Sequence, residues 1–201
     1  MPELPEVETV RRTLERVLVG RKITDCEFVE DSIVFKGHQP DLFYSAVKGA
    51  TVVAARRHGK YFWLELDTKP WLFAHLGMAG WLREMGAHTI RLREHGNAPM
   101  EDATGRAKFL KMMLQSDEGR QVVLTDGRRL ARIWALNSPS EDRAISLLGP
   151  DCFASPLSGE DIAAAVGKRS APIKALLLDQ SLFAGVGNWI ADEVLYQAGI
   201  K

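Results

Sequence analysis

Thr51-Val52-Val53-Ala54-Ala55-Arg56-Arg57-His58-Gly59-Lys60-Tyr61-Phe62-Trp63-Leu64-Glu65-Leu66-Asp67 decides the fold class. Residues 51–57 and 60–67 are rich in β-branched and aromatic side chains, and His58-Gly59 between them marks a turn, so the stretch reads as a β-hairpin. Working outward, similar short runs recur at 71–76, 80–84, 109–115, 121–125 and 130–136, with further strand material from Ile23 onward. About eight strands broken by turn residues predict a sandwich or barrel, and a two-layer β-sandwich with flanking helices is the form expected. On the N-terminal side Val7, Val10, Leu14, Val17 and Leu18 recur at helical spacing behind Pro5, and Gly20 stops the run, which gives an amphipathic helix. Residues 39–47 read as a second, short helix. Beyond Asn137-Ser138-Pro139-Ser140 the apolar period turns helical at 158–166, 173–178 and 187–198. The expected class is therefore α+β, with a strand-rich domain over 1–136, a linker over 137–149 and a helical unit over 150–201. Residues 86–105 show no apolar period and read as a long loop.

At 201 residues, with 46% hydrophobic and 26% charged side chains, the chain has material for a core, and intrinsic disorder is excluded. No apolar run approaches the roughly 20 residues that span a bilayer, so no membrane partner is expected. The opening Met1-Pro2-Glu3-Leu4-Pro5-Glu6 is acidic, unlike a secretory leader, and points to the cytoplasm. Cys26 and Cys152 stand far apart without a CxxC, which excludes a disulfide framework and a cysteine-rich zinc site.

The charges cancel, 26 basic against 26 acidic, yet they are unevenly spread. Residues 68–140 hold eleven Lys/Arg against seven Asp/Glu, whereas 141–201 hold five against eight. The basic residues gather in knots, at Arg56-Arg57-His58-Gly59-Lys60, at Arg106, Lys108 and Lys111, at Arg128, Arg129 and Arg132, and at Lys168, Arg169 and Lys174. Folded onto one face these knots make a basic groove; left apart they are solvated loops.

Chemistry begins at the first residues. Removal of Met1 would leave Pro2 with a secondary amine, and an α-amino group titrates near ~8, low enough to supply a nucleophile at neutral pH. Attack on an aldehyde-like carbon gives an iminium, with Glu3 beside it to move a proton. Read alone, the segment is more simply a common chain start with Pro5 as helix opener.

Met1-Pro2-Glu3-Leu4-Pro5-Glu6-Val7-Glu8-Thr9-Val10-Arg11-Arg12 resembles the opening of formamidopyrimidine-DNA glycosylases, relatives of endonuclease VIII. Four further stretches agree with that family in order: Arg56-Arg57-His58-Gly59-Lys60-Tyr61, His75-Leu76-Gly77-Met78-Ala79-Gly80, Thr125-Asp126-Gly127-Arg128-Arg129-Leu130, and Asp179-Gln180 running into the 185–193 stretch Gly-Val-Gly-Asn-Trp-Ile-Ala-Asp-Glu. Leu4 favours the purine-lesion branch, and the 187–193 wording is similar to the plant-type subgroup.

The resemblance implies a base-excision repair enzyme, a glycosylase and abasic-site lyase, that acts as a monomer on damaged double-stranded DNA without a cofactor. It would excise 8-oxoguanine and formamidopyrimidines and cleave the strand by β,δ-elimination. Such an enzyme sits with the nucleoid in a bacterium or in the nucleus of a eukaryote. Pro2 would be the nucleophile, Glu3 the proton donor to the opening sugar, and Lys60, on the strand after the paired arginines, a phosphate holder and proton mover. Met78, Arg128 and Leu130 match the residues that fill the gap left by a flipped base, with Arg128 set against the orphaned cytosine. Leu130 stands where relatives usually carry phenylalanine, and Gly127 where proline is frequent. Asn188 and Lys174 match phosphate ligands of a helix-two-turn-helix domain, and Ser170 replaces a DNA-binding lysine. Arg106 or Lys108 falls where relatives often carry a DNA-contacting histidine. His75 either supports the pocket or packs in the core.

Relatives continue through a second helix of that motif into a zinc-binding hairpin, whereas this sequence stops at Gly199-Ile200-Lys201. The expectation is a truncated product with an incomplete helical domain and no zinc site, which would weaken its grip on duplex DNA and in the extreme leave a damaged-DNA binding module without catalysis. A β-sandwich unrelated to nucleic acid, with merely solvated basic knots, is the third reading.

Overall fold

The computed structural model describes residues 2–87 and 100–200. Met1 and most of the 86–105 stretch read as a loop lie outside the described residues. Helix α1 (Leu4–Leu18) opens the chain and buries Leu4, Val7, Val10, Leu14, Val17 and Leu18 along one face. It is followed by β1 (Ile23–Phe28), α2 (Pro40–Val47), β2 (Val52–His58), β3 (Tyr61–Leu66), β4 (Trp71–His75), β5 (Trp81–Glu84), β6 (Leu110–Ser116), β7 (Gln121–Thr125) and β8 (Arg132–Leu136). The strands form two antiparallel four-stranded sheets, in the orders β1-β6-β7-β5 and β2-β3-β4-β8. The expected sandwich is therefore present, and α1 packs against strands of both sheets.

The hairpin that decided the class is real, with one adjustment: His58 pairs with Tyr61, so the two-residue turn is Gly59-Lys60. Lys60 thus sits in the turn and not on the strand as expected. Gly59, at φ 56°, takes the left-handed conformation that glycine adopts without strain.

Strands β3, β4 and β8 are buried on both sides of their sheet, which explains their near-continuous apolar runs. Phe62, Leu64, Leu72 and Ile133 face the inter-sheet core. Trp63, Phe73 and Trp134 stack on the other face, with ring centroids 5.5 and 6.0 Å apart, beneath Ile145. Ile145 belongs to α3 (Arg143–Ser146), a single turn that follows a 3-10 helix (Pro139–Glu141) within the stretch read as linker. The helical unit then runs through α4 (Gly159–Gly167), α5 (Ile173–Leu178) and α6 (Asn188–Gln197).

Candidate active site

Arg57 fastens the helical unit to the sandwich. Its side chain is almost wholly buried and lies between Asp151, at 2.5 and 3.0 Å, and Glu8 of α1, at 3.1 Å. Asp151 also accepts backbone N–H groups from Gly59, Phe153 and Ala154, and bridges Ala184. Burial works against both carboxylates' charge, but the guanidiniums outweigh it: Glu8, beside Arg11, Arg12 and Arg57, is drawn down to about 2, and Asp151 is lowered as well. His58 Nε2 donates to the Gly149 carbonyl at 2.7 Å. The hairpin tip carrying Lys60 is therefore clamped to the 149–151 segment.

That clamp puts Lys60 over the 185–188 turn, where its Nζ donates to the Val186 carbonyl at 2.9 Å. Gln180 Nε2 donates to the same carbonyl at 2.8 Å, while Gln180 Oε1 accepts from Gly185 N. Burial pushes the Lys60 ammonium below its ordinary value, with the Glu3 carboxylate pulling the other way. Such a lysine gives up a proton more readily than a solvated one.

Glu3, 1% exposed, is held by the far end of the chain: its two carboxylate oxygens accept from Trp189 N at 3.0 Å and Ile190 N at 3.2 Å. Two of the otherwise unpaired N–H groups of the first α6 turn are thereby satisfied, at the positive end of the helix dipole. Gly187 is required there, since a Cβ at that position would run into the carboxylate. Pro2, Lys60, Met78 and Asn188 line one cavity of about 340 Å³, together with Tyr61, His75, Leu178 and Gln180. His75 is thus a pocket residue: its Nδ1 accepts from Gly77 N at 3.0 Å, its ring lies 4.9 Å from Tyr61, and burial, with Lys60, Arg132 and Lys36 nearby, lowers it to about 4. Its imidazole is neutral at pH 7.

A second group of expected residues forms a ridge beside this cavity. Asp126, 2% exposed, gathers the 126–131 loop by accepting from Arg128 N, Leu130 N and Ala131 N at 2.6–2.8 Å. Gly77 lets the Leu130 carbonyl come closer than any Cβ would allow, which sets the Met78 turn against that loop. Arg129 and Lys111 are both tied to Asp31, whereas the side chains of Arg128 and Lys108 carry no hydrogen bond or ion pair among the described residues. Met78 is 51% exposed. Arg106 pairs with Glu27, and Lys174 pairs with Asp192 at 2.5 Å; both stand outside the cavity.

Gln180 and the Arg57–Asp151 clamp were missed as site residues. The Asp179-Gln180 pair before the glycine-rich turn was the available signal for the first; nothing near Arg57 in sequence points to Asp151. Among the described residues no three His, Cys, Asp or Glu side chains converge as a metal site, and no helix is long and apolar enough to cross a membrane.

Residues 1–133 match the family model described as formamidopyrimidine-DNA glycosylase N-terminal domain, and residues 148–201 match the formamidopyrimidine-DNA glycosylase H2TH domain. A formamidopyrimidine-DNA glycosylase of Arabidopsis thaliana is 40% identical over the whole chain, and one of Paracoccus denitrificans 37% identical. The chain spans 51% of the plant protein's length and 68% of the bacterial one's. Among solved structures, Lactococcus lactis Fpg in complex with abasic-site DNA superposes with a TM-score of 0.78 at 29% identity, covering all of this chain and 68% of that one. A MutM complex with DNA containing carbocyclic 8-oxo-G gives the same TM-score and identity, with 70% of that chain covered. With both family models and full-length similarity to curated members, the chain belongs to the formamidopyrimidine-DNA glycosylase family.

Proposed function

We propose that this protein is a base-excision repair enzyme, a DNA glycosylase and abasic-site lyase that acts as a monomer on oxidised purines in double-stranded DNA. The observation that carries the reading is the convergence of Pro2, Lys60, Met78 and Asn188 on one cavity, with the Glu3 carboxylate fixed behind Gly187.

With Met1 removed, the Pro2 nitrogen attacks the sugar C1′, the bond to the damaged base breaks, and the base leaves with the bonding electrons and takes up a proton. Glu3 takes the proton that the Pro2 nitrogen releases and passes it to the ring oxygen as the sugar opens, leaving an iminium between Pro2 and C1′. Loss of a C2′ proton then expels the 3′ phosphate, and a second elimination expels the 5′ phosphate. The lowered Lys60 ammonium serves both as proton carrier and as phosphate partner. Asn188, exposed at the first position of α6, offers a further phosphate contact. Met78, Leu130 and Arg128 occupy the duplex where the base has left, with Arg128 addressing the opposite cytosine. Lys108, Arg106 and Lys174 add positive charge along the flanking backbone, the latter two after exchanging Glu27 and Asp192 for phosphate. Each step runs on an amine, a carboxylate and an ammonium, so the scheme calls for no cofactor.

The test is borohydride trapping on a duplex carrying 8-oxoguanine opposite cytosine. A covalent adduct that maps to Pro2 and vanishes in Pro2→Gly is expected. An equal yield with Pro2→Gly overturns the nucleophile assignment, and selective binding of abasic DNA with no strand cleavage favours a damage-binding module instead.

A further inference from the structure

Phe109 is 67% exposed, more than any other phenylalanine among the described residues, although the sequence pattern assigns it to the start of a strand. It lies just outside β6 with φ 57°, a conformation unfavourable for a bulky residue that persists only where surroundings impose it. The surroundings are identifiable. The Phe109 carbonyl accepts from Asp126 N at 2.9 Å, and the ring lies so close to Gly127 that a Cβ there would sit 3.3–3.4 Å from three ring atoms. Gly127 precedes Arg128, and Arg129, also at positive φ, is turned back to Asp31, leaving the Arg128 side chain without a partner among the described residues. Lys108, the residue before Phe109 in the chain, is likewise without a side-chain partner among the described residues. An apolar ring held out in strain, with Lys108 before it in the chain and Arg128 following the glycine it rests on, both unpartnered among the described residues, is shaped for a flat apolar surface flanked by anions, which describes a nucleobase beside phosphates.

We propose that Phe109 is a base-stacking contact of the Arg128 ridge, lying on a nucleobase next to the point where Arg128 enters the duplex. The inference rests on the functional reading above. Leu130 wedges without an aromatic face, and Phe109 supplies that face from the neighbouring strand end. The absence of a side chain at Gly127 is what gives the ring its seat.

The test compares wild type with Phe109→Ala, Phe109→Tyr and Phe109→Gly for binding to a duplex containing a tetrahydrofuran abasic analogue opposite cytosine, across a salt series. Stacking predicts roughly 5- to 100-fold weaker binding for Phe109→Ala and Phe109→Gly, and near wild-type binding for Phe109→Tyr. The slope of log affinity against log salt stays unchanged, because no phosphate contact is lost. Phe109→Gly relieves the backbone and keeps or raises the melting temperature, which separates lost stacking from lost folding. If wild type binds but Phe109→Ala stays within twofold of it, or shows a shallower salt slope, the assignment fails and the functional reading stands. If wild type itself does not bind the duplex, both fail.

Discussion

Arg57 and Asp151 face one another through two hydrogen bonds, Nη1 to Oδ2 at 2.5 Å and Nη2 to Oδ1 at 3.0 Å, across a sequence separation of 94 positions. Both side chains are at least 95% buried, so removing one strands the other's charge. Arg57→Met is expected to cost about 3–5 kcal/mol in urea denaturation. The double variant Arg57→Met/Asp151→Asn should lose clearly less than the sum of the single changes, because the orphaned charge is gone from both sides.

Gly187→Ala places a methyl group where the Glu3 carboxylate sits. Since Trp189 N and Ile190 N pin that carboxylate, the expected result is a displaced Glu3, about 1–3 kcal/mol lost from stability and adduct formation slowed by about 100-fold. Combining it with Glu3→Ala removes the collision: stability should partly return in thermal denaturation, while trapping does not.

Lys60→Met separates stability from chemistry. The folded Lys60 titrates below its unfolded value, so between the two the unfolded chain binds more protons and stability rises with pH; at neutral pH the charged, half-buried ammonium is a liability. The Val186 carbonyl keeps its second donor, Gln180 Nε2. Lys60→Met is therefore expected to melt at or above the wild-type temperature and to lose the stability gain on moving toward alkaline pH, while strand cleavage at a preformed abasic site falls at least tenfold in a gel assay.

His75 acts with the same sign at lower pH. Its folded value of about 4 lies below the ordinary 6.5, so the stability it contributes is complete above about 6.5 and is lost as pH falls toward 4, because only the unfolded chain accepts the proton readily. Denaturant midpoints measured from pH 7 to pH 4 should decline, and His75→Gln should flatten that decline.

Local patterns carried most of the fold. Helix α1 and the 51–67 hairpin were legible because burial of one face imposes a period on neighbouring residues, and that period needs no partner to be seen. The Gly59-Lys60 turn was placed one residue early because β-branched and aromatic content marks strands but not their hydrogen-bond register. The single turn bearing Ile145 was missed because four residues are too few to show a period, and its purpose, to roof Trp63, Phe73 and Trp134, is visible only in three dimensions. In the site, Pro2, Glu3 and Lys60 could be singled out by residue type and motif. What holds them could not: Arg57 finds Asp151, and Glu3 finds Trp189 and Ile190, across separations on which sequence spacing is silent. Phe109 was assigned to a strand for its β-propensity, which does not register a backbone forced to positive φ by the loop beside it.

The Glu3 hydrogen bonds join the third residue of the chain to residues 189 and 190. At roughly 5–20 residues per second, a ribosome needs about 10–40 s to make the stretch between them. Throughout that interval Pro2 stands without the Glu3 geometry that the proposed chemistry needs. On the proposed function, activity waits for the first turn of α6 to close over Glu3, and a nascent chain that has not reached residue 190 has no assembled site with which to act.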